Sequence, residues 1–94
     1  MYILTNKYHS VFYIGVTSNL PARMQQHFGK LYRNSFSARY NLNKLVYYCW
    51  YHSIQDAIEV EKRIKAGSRK SKLLLIQSIN PLWNDLWLTE VSKW

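Results

Sequence analysis

Residues 1–6, MYILTN, and residues 11–16, VFYIGV, are short runs rich in β-branched and aromatic side chains, on either side of the polar residues 7–10. Such side chains favour strands, and two runs separated by so few residues predict an antiparallel hairpin with a loop of about four or five residues. The sheet of this protein is therefore expected to begin with its first two strands side by side.

A helix, an irregular connection and a third strand are expected next. Residues 17–19, TSN, offer an N-cap, and the apolar residues after them recur every four positions until Gly29: Leu20, Met24 and Phe28. Residues 30–43 show no sustained period and predict an irregular connection with one helical turn near residues 38–42. The aromatic run of residues 44–52, KLVYYCWYH, is predicted to form the central strand.

Two helices and a tail follow. The first opens at Gln55-Asp56, ends at residues 65–67 and is expected to turn these residues inward: Ile54, Ala57, Ile58, Glu61 and Ile64. The second is capped by Ser68, spans roughly residues 69–78 and is expected to turn three residues inward: Leu73, Leu74 and Ile76. Asn80-Pro81 ends it, and the Trp-rich residues 82–94 are expected to pack back on the core.

This order of elements, ββα–β–αα, predicts a small α/β sandwich. Its centre is a three-stranded mixed or antiparallel sheet, and helices flank the sheet. A chain of 94 residues buries enough surface to fold as a single domain over residues 1–94.

The composition favours a polyanionic partner and excludes several classes of protein. Thirteen Lys and Arg against five Asp and Glu give a net charge of +8, which attracts nucleic acid. The single cysteine, Cys49, excludes an internal disulfide, and no Cys and His have zinc-finger spacing. The sequence has no signal-peptide pattern and no apolar run near the roughly 20 residues of a membrane helix, so a bacterial cytoplasm or an organellar interior is expected.

Two tyrosines are candidates for chemistry. Tyr2 and Tyr13 lie eleven residues apart, near the matching ends of the two hairpin strands, where side chains on one face converge. Two phenols there could orient one water or one phosphate oxygen. The alternative is that both rings only fill the core, as strand tyrosines usually do.

Arg23 and His27 are four residues apart on the first helix and therefore share a face. Because that face lies one residue off the apolar stripe, both are expected at the edge of the core. An arginine there can bind a phosphate through two N–H groups and offset charge in a transition state. The alternative is a solvated helix face.

Glu61 is a carboxylate at an inward position of its helix. Burying a carboxylate costs several kcal/mol unless a positive group compensates. A divalent cation is one such group, because Mg²⁺ commonly takes one or two protein carboxylates and completes its shell with waters and substrate oxygens. The alternative partner is Lys65, four residues on, or an arginine from elsewhere.

Basic residues are interleaved with aromatic ones along the chain, a pattern that suits a groove tracking a nucleic-acid backbone with stacked bases. Arg39, Tyr40 and Lys44 are expected to contact substrate on this ground. Gly15 fits a position where the backbone comes close to a phosphate or to a neighbouring element. Binding is expected to be largely independent of base sequence.

Five motifs follow one another along the chain. They are the pair Tyr2-Ile3-Leu4-Thr5-Asn6 and Tyr13-Ile14-Gly15-Val16-Thr17, then Leu20…Arg23…His27, then Arg39-Tyr40-Asn41 with residues 44–48, then Ala57…Glu61-Lys62…Lys65, and last Ile79-Asn80-Pro81…Trp83…Asp85-Leu86. In this order they resemble the short stand-alone branch of the GIY-YIG nuclease family, to which the N-terminal nuclease module of excinuclease C is related. One departure is that Met1 stands where the family has Gly-Ile, so the first strand is expected to be short and frayed.

The resemblance implies a DNA endonuclease that hydrolyses phosphodiester bonds with Mg²⁺ or Mn²⁺, in DNA repair or processing. Tyr13 would be the general base, Arg23 would bind the scissile phosphate and Glu61 would ligate the metal. The full catalytic group that it implies is Tyr2, Tyr13, Arg23, His27 and Asn80. Two alternatives stay open: a nucleic-acid-binding module that keeps the fold but cuts little, and a protein adaptor that docks through the Trp-rich tail.

Overall fold

The structure, a computed structural model, describes residues 1–28, Tyr40 and residues 42–94. Its elements in chain order are strands β1 (Tyr2–Thr5) and β2 (Phe12–Gly15), helix α1 (Leu20–Phe28), strand β3 (Lys44–Tyr48), helices α2 (Ile54–Ala66), α3 (Arg69–Ile79) and α4 (Leu86–Thr89), and a 3₁₀ turn (Val91–Lys93). The predicted end of the first helix at Gly29 and the predicted turn near residues 38–42 fall outside the described residues, except for Tyr40 and Leu42. Within the described ranges, no helix combines the length and the hydropathy that crossing a membrane requires.

The three strands form one antiparallel sheet in the order β2-β1-β3. The prediction of a central strand at residues 44–52 was wrong, because β3 ends at Tyr48 and lies at an edge. β3 is apolar along its length because both of its faces are covered: Leu45 lies in one core cluster and Val46 lies in the other. The expected fraying of β1 was also wrong: all four of its residues are buried, and the Cys49 N–H donates to the Met1 carbonyl at 2.9 Å.

Helices cover both faces of the sheet, which confirms the predicted α/β sandwich. On one face, Tyr2 and Leu4 of β1 pack with a cluster from α1 and the C-terminal elements: Leu20, Met24, Leu86 and Val91. On the other face, Ile3 and Ile14 pack with residues of α2 and α3: Val60, Ile64, Leu75 and Ile76. The alternation of side chains along β1 thus divides the core into two layers.

Side-chain caps and apolar contacts set the helix positions. Ser53 and Ser68 cap α2 and α3, each accepting a backbone N–H three residues on. Two predicted inward positions were wrong, because Ile54 and Leu74 are exposed. Ile54 is the first residue of α2, where the helix has only begun. In α3, Leu75 packs on the core in place of Leu74. The prediction that residues 82–94 pack back on the core is confirmed: Leu86 and Val91 are buried in the cluster on the α1 side of the sheet.

Candidate active site

Tyr2 is at the centre of a hydrogen-bond chain on the α1 face of the sheet. Its side chain is 1% exposed, and its Oη lies 3.0 Å from Nε2 of His27 and 3.3 Å from Nε of Arg23. Burial raises the pKa of Tyr2 to about 12, although the hydrogen bond from Arg23 opposes the shift. Tyr2 is therefore a neutral phenol at pH 7, which accepts from Arg23 and shares a hydrogen bond with His27.

Arg23 and His27 reach Tyr2 from one face of α1, as their spacing predicts. His27 is buried, and burial together with the nearby Arg23 lowers its pKa to about 4. A neutral imidazole donates at one ring nitrogen and accepts at the other, so Nε2 and the Tyr2 hydroxyl can share a hydrogen bond in either direction. Hydrogen bonding to Tyr2 raises the pKa of Arg23, and its Nη1 donates to Oε1 of Gln26 at 2.9 Å. Tyr2 thus joins the guanidinium of Arg23 to the imidazole of His27.

Tyr13 completes the group from β2. Its ring centroid lies 6.2 Å from that of Tyr2 and 5.3 Å from that of His27. The Tyr13 hydroxyl also contributes to the raised pKa of Arg23, after Tyr2. Unlike Tyr2, Tyr13 is only half-buried. Tyr2, Tyr13, Arg23 and His27 are called the tyrosine cluster below, and it brings together four of the five side chains predicted to be catalytic.

Gly15 provides the space for the Tyr2 ring. It pairs with Tyr2 across the ladder, and a Cβ at this position would lie 2.5 Å from Oη and 2.6 Å from Cζ of Tyr2. The same Cβ would lie 3.0 Å from Cε1 of Tyr13. The neighbouring element expected near Gly15 is therefore the Tyr2 phenol, and a side chain here would displace it.

Gly15→Ala is expected to lower the free energy of unfolding by about 1–3 kcal/mol, because the added methyl group overpacks the buried ring. The loss would be measured by urea denaturation. In a Tyr2→Leu background the aromatic ring is absent, so Gly15→Ala should lower the free energy of unfolding by less than about 1 kcal/mol. An equal penalty in both backgrounds would contradict the proposed collision with Tyr2.

Glu61 lies on α2, which packs against β2. Its side chain is 17% exposed, and its Oε1 forms an ion pair with Nζ of Lys65 at 2.5 Å, the alternative partner considered from the sequence. Lys65 in turn lines a pocket of about 360 Å³ together with Tyr13 and Lys72. Glu61 is thus linked through Lys65 to the pocket beside Tyr13.

Glu61 offers one carboxylate as a ligand for a divalent cation. In the part of the chain that the structure describes, no group of three or more His, Cys, Asp and Glu could hold a metal ion. Mg²⁺ does not need such a group, because it often takes a single carboxylate with waters and substrate oxygens. The Lys65 side chain is 51% exposed and can turn into solvent or toward a phosphate. A divalent ion could then take its place on the Glu61 carboxylate.

Asn80 is not brought into the tyrosine cluster. Its Nδ2 donates to the carbonyls of Val46 at 3.1 Å and Asn84 at 2.9 Å, and its Oδ1 accepts from the Asn84 N–H at 2.9 Å. Val46 stands at the irregularity in the β1–β3 register, and the register skips it between Leu45 and Tyr47. Asn80 therefore satisfies a buried carbonyl that the ladder does not pair, a role that spacing alone could not show.

The predicted substrate contacts are spread over the fold. Lys44 begins β3 opposite Thr5, and its Nζ lies 3.1 Å from Nε2 of His9 in the hairpin loop. Tyr40 is exposed, and Arg39 lies outside the described residues. Sequence reasoning did not assign Lys65 and Lys72 to a site beside Tyr13, although both belong to the basic stretch of residues 62–72.

The comparison with known families agrees with this geometry. The family model described as the GIY-YIG catalytic domain matches residues 1–74, which include all of the tyrosine cluster and Glu61. Neither the curated proteins nor the solved structures contain a match to the chain. The matched span is well over half of the 94 residues, and the domain it describes is of the endonuclease type. The chain therefore belongs to the GIY-YIG nuclease family.

Proposed function

We propose that this protein is a divalent-metal-dependent endonuclease that hydrolyses DNA phosphodiester bonds at the tyrosine cluster. The observation that carries the proposal is the chain from Arg23 through Tyr2 to His27, which lies beside a half-buried Tyr13. The net charge of +8 supports a polyanionic substrate. Lys65 and Lys72, which line the pocket beside Tyr13, would hold the phosphates that flank the cut.

The two phenols are suited to different tasks. Tyr2, with its pKa raised to about 12, keeps its proton and serves to orient Arg23. Tyr13 is more accessible and borders the pocket with the two lysines. We therefore assign the general base that takes a proton from the attacking water to Tyr13.

Arg23 is placed to bind the scissile phosphate. A guanidinium has five N–H donors, and the interactions of Arg23 with Tyr2, Tyr13 and Gln26 use only part of them. The remaining donors can offset the charge that grows on the non-bridging oxygens during in-line attack. Its hydrogen bonds to the protein fix its orientation before substrate arrives.

Glu61 would hold the metal. A divalent ion there, Mg²⁺ or Mn²⁺, supplies Lewis-acid stabilisation of the phosphate and of the leaving oxygen. Lys65 neutralises the carboxylate in the free protein, and its release would let the ammonium group contact the substrate backbone.

We also propose that residues 1–94 form one domain, because Leu86 and Val91 pack in the same core as Tyr2. Its setting would be DNA repair or processing in a bacterial cytoplasm.

The test is nicking of supercoiled plasmid with Mg²⁺, with Mn²⁺ and with EDTA. The wild type is expected to nick only with metal, and Glu61→Gln to lose about 100-fold or more in rate. Glu90→Gln is the matched control, because Glu90 is exposed and a glutamine oxygen can still accept the hydrogen bond that the Tyr48 hydroxyl donates to it. Binding without cleavage on every DNA would favour the recognition module instead. Equal cleavage by wild type and Glu61→Gln would overturn the metal assignment.

A further inference from the structure

Two exposed tryptophans pack together with the half-buried Tyr48 at the end of β3. Trp50 is 63% exposed and Trp94 is 57% exposed, yet their ring centroids lie only 5.6 Å apart. Tyr48 meets both edge-on, at 6.4 Å from Trp50 and 5.4 Å from Trp94. This group, Tyr48, Trp50 and Trp94, is called the Trp50 platform. Its rings support one another and leave a large aromatic surface uncovered.

The Trp50 platform adjoins the tyrosine cluster. Trp50 and Tyr48 line a narrow cleft whose other walls include Tyr2, Thr17 and Leu20. Tyr2 thus takes part in the hydrogen-bond chain of the cluster and also borders this cleft. Tyr2 is therefore the residue that joins the Trp50 platform to Arg23.

A second cavity beside Trp50 favours a base over a phosphate. It measures about 520 Å³, and these residues line it: Trp50, Tyr51, His52, Asp56, Glu59, Val60 and Arg63. Two carboxylates, Asp56 and Glu59, outnumber the one guanidinium of Arg63, so the lining does not favour a phosphate. A neutral base is not repelled, and its amino groups can donate hydrogen bonds to carboxylates. The aromatic surface and the two carboxylates suit the same occupant.

We propose that Trp50 is a stacking site for an unpaired nucleobase next to the scissile phosphate. Stacking on an exposed indole requires a base whose face is free, and bases inside a duplex do not offer one. This inference rests on the proposed function and adds a substrate class to it: nucleic acid that is single-stranded or unpaired at the cut. Base stacking on an aromatic side chain is tolerant of sequence, in keeping with the expected lack of sequence preference.

The test measures binding without cleavage. The probes are a fluorescein-labelled 12-nucleotide single strand and the same strand with abasic sugars at its central positions, in EDTA, with fluorescence anisotropy as the readout. The wild type should bind the strand with bases about tenfold tighter or more. Trp50→Ala should lose that preference and leave abasic binding within about twofold, since phosphate contacts remain. Trp50→Phe should keep part of the preference.

Tyr8→Ala is the matched control, because Tyr8 is an exposed aromatic residue in the hairpin loop. It should bind both probes as the wild type does. The proposal is overturned if Trp50→Ala binds both probes like the wild type, or weakens both equally. It is also overturned if the variant changes only self-association in analytical ultracentrifugation, which would make the platform a protein interface. A protein that nicks plasmid with metal but shows one of these results would keep the proposed function and lose the stacking site.

Discussion

Tyr13→Phe is expected to reduce kcat for DNA cleavage by about 10²–10⁴-fold, the usual contribution of a general base. Phenylalanine keeps the ring that packs against Tyr2 and His27 and removes only the hydroxyl. DNA affinity should therefore change little, because the phosphate contacts from Arg23 and the pocket lysines remain. The measurement is single-turnover cleavage at saturating enzyme, with affinity determined separately in EDTA.

The control for this change is Tyr8→Phe, which removes a hydroxyl from an exposed tyrosine outside the cluster. It should cleave as the wild type does. Full activity in Tyr13→Phe would exclude this phenol as the base and direct attention to a water held by other groups.

Arg23→Ala is expected to reduce kcat by about 10²–10³-fold, the range found when one preorganised donor to developing charge is removed. Arg23→Lys should recover only part of the loss. A lysine retains the positive charge but lacks the planar fork of donors that binds Tyr2 and a phosphate together. A cleavage assay at saturating DNA separates this loss from weaker binding.

Two controls make the Arg23 result interpretable. Lys70→Ala removes one positive charge from an exposed position of α3 and should leave kcat near the wild-type value. Urea denaturation of Arg23→Ala shows how much of the effect comes from the lost bond to Tyr2, which contributes about 1 kcal/mol if typical. Cleavage by folded Arg23→Ala at the wild-type rate would remove Arg23 from the mechanism.

Local patterns predicted much of the fold. The hairpin, the caps at Ser68 and near Asn19, and the shared face of Arg23 and His27 follow from short-range spacing, and the structure shows each of them. Strand order is a long-range property. The aromatic run of β3 looked central because both of its faces are covered, whereas the actual central strand is the four-residue β1.

The site was harder to predict than the fold because it, too, depends on long-range contacts between strands and helices. The spacing of Tyr2 and Tyr13 indicated that they converge, but the register that seats Tyr2 over Gly15 depends on the cross-strand pairing. Asn80 carries a polar side chain at a position that looked functional, and only the irregularity at Val46 shows what its amide bonds to. Glu61 was recognised as an unusual carboxylate, and whether its partner in function is Lys65 or a metal depends on the bound state.

The pairing of Tyr2 with Gly15 also bears on when the protein can cut. A slip of one residue between β1 and β2 would turn Tyr2 to the opposite side of the sheet and place a side chain where its ring belongs. Arg23 and His27 would then lose their common partner. A chain with such a slipped ladder would lack the arrangement to which we assign hydrolysis, so cleavage should appear only after β1 and β2 have paired in the correct register.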